Sequence, residues 1–340
     1  MNKIFFISFR WNDQRLEKHS SDKMMGLAFK RLGWGVHYFD YREEVKLNRK
    51  QVVESKLIKN ILDEKPSIVF INKAESINPN IIKTIKKSKD FNGIFVFWNM
   101  DARRYIPKNI IDWGKVCDWI FDCKGGSRLK ELYSKTKTPS SFLFAPYEND
   151  YIQRIHVSEK MYNLTWYGQL YKPTNDFDSI RRYIIPNIRD ILDDYGACFD
   201  RTFIRGEDYY KKLGHSRLSI SIPAVNLPHY FSNRHSHIMG SGSVVLSYKF
   251  DGIFDIFEDG INIITFKDEK ELRQKCKYYL NNIDELEFVT KNTIDFSEKF
   301  MLSDVVVKEI LGVLSTGESS YNFDSIFNPN SIILIGKNNA

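Results

Sequence analysis

Several short stretches of the chain combine residue types that do chemistry at close range. Ser232-Asn233-Arg234 opens a helical segment that closes on Gly240-Ser241-Gly242. Serine or asparagine there caps a helix, the N–H groups behind the cap favour an anion, and Arg234 adds a charge-assisted donor suited to phosphate. Gly240 and Gly242 permit φ > 0 or a close approach of backbone to ligand, so a diphosphate near this turn is one reading and an ordinary capped helix with a glycine stop is the other. Asp101, with Arg103 and Arg104 just behind it, follows an apolar run that ends at Trp98 and Asn99. A carboxylate in that place either takes a proton from a hydroxyl or caps the next turn. Phe9-Arg10-Trp11-Asn12 follows the first apolar run; Arg10 suits a phosphate or an acidic group, Trp11 suits stacking, and a surface arginine beside a packed indole explains them equally well. His229, His235 and His237 crowd one loop and helix, but His235 and His237 are two apart and point to different helix faces, which argues against a metal.

These residues need a frame. The first 150 residues contain six short apolar, β-branched or aromatic runs, Lys3–Ser8, Gly35–Asp40, Ser67–Asn72, Gly93–Asn99, Asp118–Asp122 and Ser140–Ala145. Between them lie helical stretches, notably Asp22–Leu32, Arg49–Glu64 and Asn80–Lys89. Apolar strands alternating with helices predict βαβ crossovers and a parallel sheet buried on both faces. Phe9–Asn12, Trp98–Asp101 and Pro146–Asp150 then fall at carboxyl ends of strands, the edge where open α/β sheets bind ligands. The pattern restarts near residue 160, with strands Leu164–Gly168, Ala197–Ile204, Leu218–Pro223, Ser243–Tyr248 and Ile261–Phe266. Its helices are Asp178–Tyr195, which Pro186 should kink or split, Glu207–Leu213, Asn233–Met239, Asp268–Asn281 and Glu285–Lys299. A final helix, Leu302–Leu314, and one more apolar run, Ile332–Ile335, complete the reading. The expected class is α/β with two Rossmann-like domains, 1–155 and 156–300, meeting at a cleft, and a segment 301–340 that packs back on the first.

Composition agrees with that class and excludes others. The 340 residues are 42% apolar and 27% charged, with 18 Gly and 10 Pro, unlike collagen, a low-complexity chain or a disordered one. Fifty Lys+Arg against 43 Asp+Glu leave +7, spread along the chain rather than massed as on a nucleic-acid binder. Cys117, Cys123, Cys198 and Cys276 form no C-x-x-C and have no zinc-finger spacing, so reduced, buried thiols of a cytoplasmic protein are expected. No apolar stretch has the length of a signal peptide core or a membrane span. The basic run Lys83–Lys89 suits either a solvated helix face or peripheral contact with an anionic inner membrane face. No G-x-G-x-x-G or P-loop pattern follows any strand, which disfavours dinucleotide and P-loop nucleotide binding. Gly125-Gly126-Ser127 reads as a plain loop and Asp176-Phe177-Asp178 as an N-cap.

One segment carries a family resemblance. Leu213-Gly214-His215-Ser216-Arg217 precedes the strand ending at Pro223; Ser232-Asn233-Arg234 and Ile238–Gly242 bracket a helix; Ser243–Ser247, Glu258-Asp259-Gly260, Ile263–Phe266, Asp268, Glu271-Leu272 and Tyr278-Tyr279-Leu280 follow in order. Residues 213–281 thus resemble the C-terminal half of family-1-type glycosyltransferases of the GT-B fold and, more narrowly, the spore-maturation CgeB-like group. The resemblance implies a nucleotide-diphosphate sugar held mainly by the second domain, an acceptor held mainly by the first, and neither metal nor other cofactor. It implies donor contacts from Arg205 and Lys211 besides Ser232, Asn233, Arg234, Gly240 and Gly242. It implies Asp101, paired with Trp98, as general base, with Arg10, Trp11, Arg103 and Arg104 on the acceptor side. Retaining members carry Glu-x7-Glu where this chain has His229 and His237; a histidine hydrogen-bonds a hydroxyl but is not a fixed anion, which favours an inverting displacement needing one base.

The expected function is transfer of a sugar from a nucleotide-sugar donor to a glycan, lipid-linked or protein acceptor, as in surface polysaccharide assembly. A non-catalytic glycan- or nucleotide-binding protein and a GT-B-fold epimerase are the alternatives, and nucleic acid is not an expected partner.

Overall fold

The computed structural model describes residues 1–9, 20–101, 103–168, 180–194, 199–200, 204, 206–223, 225–321 and 323. Two compact units divide the chain: Met1–Leu143 with the segment from Val306 onward, and Phe144–Val305.

The first unit is built on a parallel sheet of six strands in the order β2-β1-β3-β4-β5-β6. The strands are β1 (Lys3–Ser8), β2 (Gly35–Asp40), β3 (Ile68–Asn72), β4 (Ile94–Asn99), β5 (Trp119–Asp122) and β6 (Ser140–Phe142). The helices between them are α1 (Ser21–Arg31), α2 (Tyr41–Leu47), α3 (Lys50–Glu64), α4 (Ile81–Lys86), α5 (Lys108–Gly114) and α6 (Ser127–Thr136). The central strands β1, β3 and β4 are apolar along most of their length because helices cover both faces. Phe5, Ile7, Val69, Ile71, Phe95 and Phe97 pack with Val53, Leu57 and Ile61 of α3, Ile82 and Ile85 of α4 and Trp113 of α5. On the opposite face Phe6 meets Phe29 of α1 edge-on at 6.2 Å. β2 passes into α2 without a loop, because the Asp40 carboxylate accepts the Arg42 and Glu43 N–H groups at 3.1 and 3.0 Å as an N-cap.

The second unit has a five-stranded parallel sheet in the order β11-β10-β9-β7-β8. Its strands are β7 (Tyr162–Tyr167), β8 (Phe199–Asp200), β9 (Ser216–Ser221), β10 (Val244–Tyr248) and β11 (Ile264–Phe266). Helices α7 (Ile180–Asn187), α8 (Arg189–Asp194), α9 (Glu207–Gly214), α10 (Asn233–Gly240), α11 (Glu269–Asn281) and α12 (Ile283–Phe300) belong to it, and α13 (Ser303–Thr316) follows. Leu164, Trp166, Leu218, Ile220, Val244, Leu246 and Ile264 form its core with Ile185, Ile188, Leu272, Leu286 and Val289. The expected split at Pro186 is the break between α7 and α8. Of the strand expected over Ala197–Ile204, Phe199–Asp200 pairs with β7, while residues 197, 198 and 201–203 and the run Ile332–Ile335 lie outside the described residues.

The α/β class with two parallel sheets is the one read from the sequence. Backbone strain is confined to a few places. Among the described residues, five non-glycine residues have positive φ, and two of them, Lys65 and Lys137, are the left-handed caps of α3 and α6. The other three are Lys73 (67°), Ala74 (50°) and His229 (54°). Lys73 and Ala74 follow the carboxyl end of β3, and His229 lies in the loop leaving β9. Such conformations cost roughly 1–3 kcal/mol each and collect at functional sites.

Candidate functional site

The carboxyl edge of the second sheet gathers positive charge without a counterion. Arg181, in the first turn of α7, donates from Nε to the main-chain oxygen of Ile222 at 2.6 Å. Arg234, in the first turn of α10, donates from Nη1 to the same oxygen at 3.4 Å. Neither guanidinium has a carboxylate partner among the described residues. Burial, with each arginine's repulsion of the other, pushes Arg181 down to about 9, and burial likewise lowers Arg234. The phenols of Tyr209 and Tyr230 lie within electrostatic reach of Arg234, and Tyr230 also of Arg181. Gly168, just past β7, lets Arg234 come close; a Cβ there would sit 3.2 Å from Nη2 and 2.7 Å from the Trp166 ring. Ser232 has the extended backbone of an N-cap but makes no side-chain cap bond, its hydroxyl lying 3.4 Å from His235 Nδ1. The first N–H groups of α10 thus add donors beside the two arginines. The arrangement sets two guanidinium groups beside the free N–H groups of a helix start, a chemistry suited to a phosphate-type anion.

The loops around it are fixed by packing. His229 donates its N–H to Asp251 O at 2.7 Å, and its Nε2 lies 2.9 Å from Asp255 Oδ2. Gly252 has to be glycine: its φ is +82°, and a Cβ would fall 1.9 Å from the His229 ring. His235 sits among Phe231, Phe250 and Phe257, bonds Ser247 Oγ at 3.2 Å, and is pushed down to about 4 by burial.

The carboxyl edge of the first sheet is charged too, but three of its cations are paired with carboxylates. Lys73 Nζ meets Asp101 Oδ1 at 3.1 Å, and Arg42 Nη2 meets Glu75 Oε1 at 3.3 Å. Tyr41 donates its hydroxyl to the other oxygen of Glu75; burial, followed by that carboxylate, raises its pKa. Beneath Asp101, a buried Lys124 pairs with Asp122 at 2.7 Å and donates to Asp101 O at 2.9 Å. Asp122 also accepts from Asn99 Nδ2 at 2.7 Å, and Asn99 Oδ1 accepts the Asp101 N–H at 3.3 Å. Burial alone would lower Lys124, and Asp122 more than reverses it. Near β1, Ser8 donates to a buried Asp22 at 2.8 Å, and burial raises that carboxyl.

Comparison with known proteins bears on the second of these units. Residues 185–311 match the glycosyl transferase-like family. That match covers most of the second unit and runs on into α13. No curated protein sequence matches the chain. Among solved structures, the Anabaena HepE protein in complex with UDP-glucose aligns with a TM-score of 0.62 at 10% identity, covering 93% of this chain and 100% of that one. A glycosyltransferase from Rickettsia africae aligns at 0.62 and 10% identity, covering 92% and 97%. Sucrose-phosphate synthase from Thermosynechococcus elongatus aligns at 0.60 and 9% identity, covering 93% and 98%. The fold is that of GT-B glycosyltransferases.

Within the transferase-like domain the expected donor residues separate. Ser232, Asn233 and Arg234 open α10, and Arg181, which the sequence did not single out, meets Arg234 at the Ile222 oxygen. The Gly240–Gly242 turn does not join them. It closes α10 and leads into β10, with Gly240 about 9 Å along the helix from Arg234 at 1.5 Å per residue. Gly240 is a packing glycine whose Cβ would strike the Tyr147 ring at 2.6 Å, and Gly242 turns the chain at φ +76°. Lys211 is exposed in the last turn of α9, which leads into the amino end of β9, away from Arg234. His237 is buried against Tyr209 and Tyr210, with ring centroids 5.8 and 5.2 Å away. Arg205, Arg10 and Trp11 lie outside the described residues.

In the first unit, Trp98 must be corrected: it is fully buried, packs edge-on against Phe70 at 5.9 Å, and cannot meet a ligand. Asp101 is half-exposed at the sheet edge, but its cation is Lys73. Arg103 and Arg104 are both exposed, and the Arg103 main-chain oxygen accepts from Arg128 at 3.2 Å. Cys117, Cys123 and Cys276 are buried free thiols; Cys198 lies outside the described residues. Among the described residues no helix is long and apolar enough to cross a membrane, and no three metal-ligating side chains converge.

Proposed function

We propose that this protein is a GT-B glycosyltransferase that moves a sugar from a nucleotide-diphosphate donor to an acceptor hydroxyl on a glycan, lipid-linked or protein substrate. The observation that carries the reading is the meeting of Arg181 and Arg234 on one carbonyl with no carboxylate partner among the described residues. Two desolvated like charges are unfavourable alone and become favourable when a diphosphate supplies the opposite charge. The solved structure of HepE with UDP-glucose, a protein of the same fold, supports a donor of that chemistry.

In the reaction, Asp101 takes the proton of the acceptor hydroxyl as its oxygen bonds to the anomeric carbon. The bond from that carbon to the diphosphate oxygen breaks, and the electron pair leaves with the diphosphate. Arg181, Arg234 and the N-terminus of α10 stabilise the charge that develops there. That positive set does the neutralising which a divalent cation would otherwise do, and supports a metal-independent reaction. One base and one displacement give inversion. The CgeB-like group and a role in surface polysaccharide assembly are the narrower form of the proposal.

Calorimetry with a panel of nucleotide sugars, followed by turnover assays, tests it. The expected result is donor binding with release of nucleoside diphosphate, insensitive to chelator, and an inverted anomeric signal by NMR. Donor binding without turnover on any acceptor would make the protein a binding module. Interconversion of free nucleotide sugars without acceptor would make it an epimerase.

A further inference from the structure

We propose, resting on the donor reading above, that Arg154 and Lys160 are positioning residues for the nucleotide sugar, and that Lys160 couples its binding to the uptake of a proton. Both side chains grip the far ends of the two elements that carry the arginine pair. α10 starts beside Arg234 and ends at Gly240. β9 starts at Ser216 and leads to Ile222, whose oxygen takes both guanidinium groups. The last carbonyls of α10 can be followed one by one. The Ser241 N–H donates to His237 O at 3.1 Å, Gly242 N–H to Met239 O at 3.0 Å and Ser243 N–H to Ile238 O at 3.2 Å, the pattern of a helix closed by a left-handed glycine. Two oxygens outside that pattern go to cations. Arg154 Nε donates to Gly240 O at 2.9 Å, and Lys160 Nζ donates to Gly242 O. Lys160 Nζ also donates to Ser216 O at 3.0 Å, so one ammonium ties the end of α10 to the start of β9.

Arg154 is itself held. Its Nη1 pairs with Glu298 of α12, and its Nη2 donates to the Tyr147 hydroxyl at 3.3 Å. The Tyr147 ring in turn packs against Gly240. A grip on carbonyls alone needs no charge, since a neutral amide donates as well. Lys160 is nonetheless an amine only 5% exposed, and among the described residues it meets no carboxylate. Around it stand Arg217 of β9, His215 at the end of α9, and Arg154 with its partner Glu298. Arg217 donates to Val157 O, Ser158 O and Asn163 Oδ1, so it brings no negative charge either. Burial, then Arg217, pushes Lys160 down to about 7. A buried cation without a counterion is costly alone. It is favoured when an anion binds at the other end of the same helix, because a cation at the last carbonyls and an anion at the first N–H groups both align with the helix dipole.

The coupling has a fixed sign. A bound diphosphate raises the proton affinity of Lys160, so binding takes up part of a proton near neutral pH. By reciprocity, affinity falls as Lys160 loses its charge. The ligand-free fold moves the other way through this group. Between about 7 and 10.5 the unfolded chain holds a proton that the folded one has released, so stability rises with pH. Weaker binding at higher pH is therefore not the start of unfolding. The neighbouring titrations lie outside the window: His235 at about 4, His215 below its ordinary value, Arg181 at about 9 and Tyr209 at about 12.

The test is calorimetry on the full chain with UDP-, GDP-, ADP- and dTDP-glucose, whose diphosphates do not titrate near neutrality, from about pH 6 to 8 in buffers of different ionisation enthalpy. The nucleotide sugar that binds should do so with uptake of part of a proton at pH 7.5, and about two- to fivefold less tightly at pH 8 than at pH 6. Lys160→Met should abolish the uptake and flatten the profile at the weaker affinity, which lost packing alone does not do. Arg154→Met should weaken binding about threefold or more at every pH and leave the uptake in place. Arg154 is partly exposed, and an unchanged melting temperature separates its lost grip from lost folding. Wild-type binding without proton uptake, uptake that survives Lys160→Met, or unchanged affinity in Arg154→Met overturns the proposal while leaving the donor reading intact. If no nucleotide sugar binds the wild type, the donor reading falls and the proposal with it. Should Lys160→Met not fold, the wild-type uptake and the Arg154→Met affinity decide.

Discussion

The two sheets end in edges of opposite electrostatic design. On the first, three cations are paired with carboxylates, Lys73 with Asp101, Arg42 with Glu75 and Lys124 with Asp122. On the second, Arg181 and Arg234 share one carbonyl and repel each other. Both edges occupy the same place in a parallel α/β sheet, so topology alone does not set what they bind. The difference is whether charge is balanced from within or left for the ligand to balance. An edge balanced from within suits a neutral partner and proton transfer, and an unbalanced one suits an anion.

The sharpest way to break this contrast is Asp101→Asn. If the first edge does chemistry and the second only holds the donor, turnover should fall on the order of 10²–10⁴-fold with UDP affinity unchanged. Steady-state assays with parallel calorimetry decide it, and wild-type turnover would remove Asp101 from the reaction. Next is Lys124→Met, which strands a buried Asp122 and should cost about 3–5 kcal/mol by denaturant unfolding. The matching change on the other edge has the opposite sign. Arg234→Met or Arg181→Met should leave the ligand-free protein as stable or more so, since a desolvated, repelled cation is removed, while nucleoside-diphosphate affinity drops roughly 10- to 100-fold. A destabilised protein with intact UDP binding would show that the arginines serve the fold.

The smallest effect is in pH. His235 titrates at about 4 in the folded chain against 6.5 ordinarily, so between those values the unfolded chain binds a proton that the folded one does not. Stability of the second unit should therefore fall as pH drops through that window, by on the order of 1–2 kcal/mol between pH 7 and 5. Urea midpoints at the two pH values should show His235→Gln flattening the loss. Asp22 acts the other way: its carboxyl is raised by burial, the folded chain holds the proton more tightly, and acid favours the first unit through this group.

What could be read in the sequence was what is local. Ser232-Asn233-Arg234 was legible because the cap, the helix start and the arginine are consecutive. Arg181 was not: in Arg181-Arg182-Tyr183 it reads as a solvated helix face, and only the pairing of β7 with β9 brings it to Ile222. Trp98 was misplaced because a strand buried on both faces has no alternation to tell an inward ring from one at the rim. α2 was missed although Asp40-x-x-Glu43 is a capping pattern, because the cap is also the last residue of β2. The charged edge of the first sheet needs residues from three strand ends to be seen together, and no spacing in the chain announces that. The glycines at 240 and 242 were noticed correctly as special but assigned to a ligand, when one makes room for Tyr147 and the other turns the chain.

The first unit is closed by chain that is made after the second. The polypeptide leaves it at Leu143, builds the second unit, and comes back at Val306. There Glu309 gathers Ser319 and Ser320, and Tyr321 meets Phe142, the last residue of β6, at 6.3 Å between ring centres. On a ribosome adding roughly 5–20 residues per second, the six-stranded sheet waits on the order of ten seconds for that return. Through that interval the second unit can reach its final form and the first cannot. A chain stalled or clipped near residue 305 would therefore leave a finished second unit attached to an unfinished first, which a chaperone or protease would meet first.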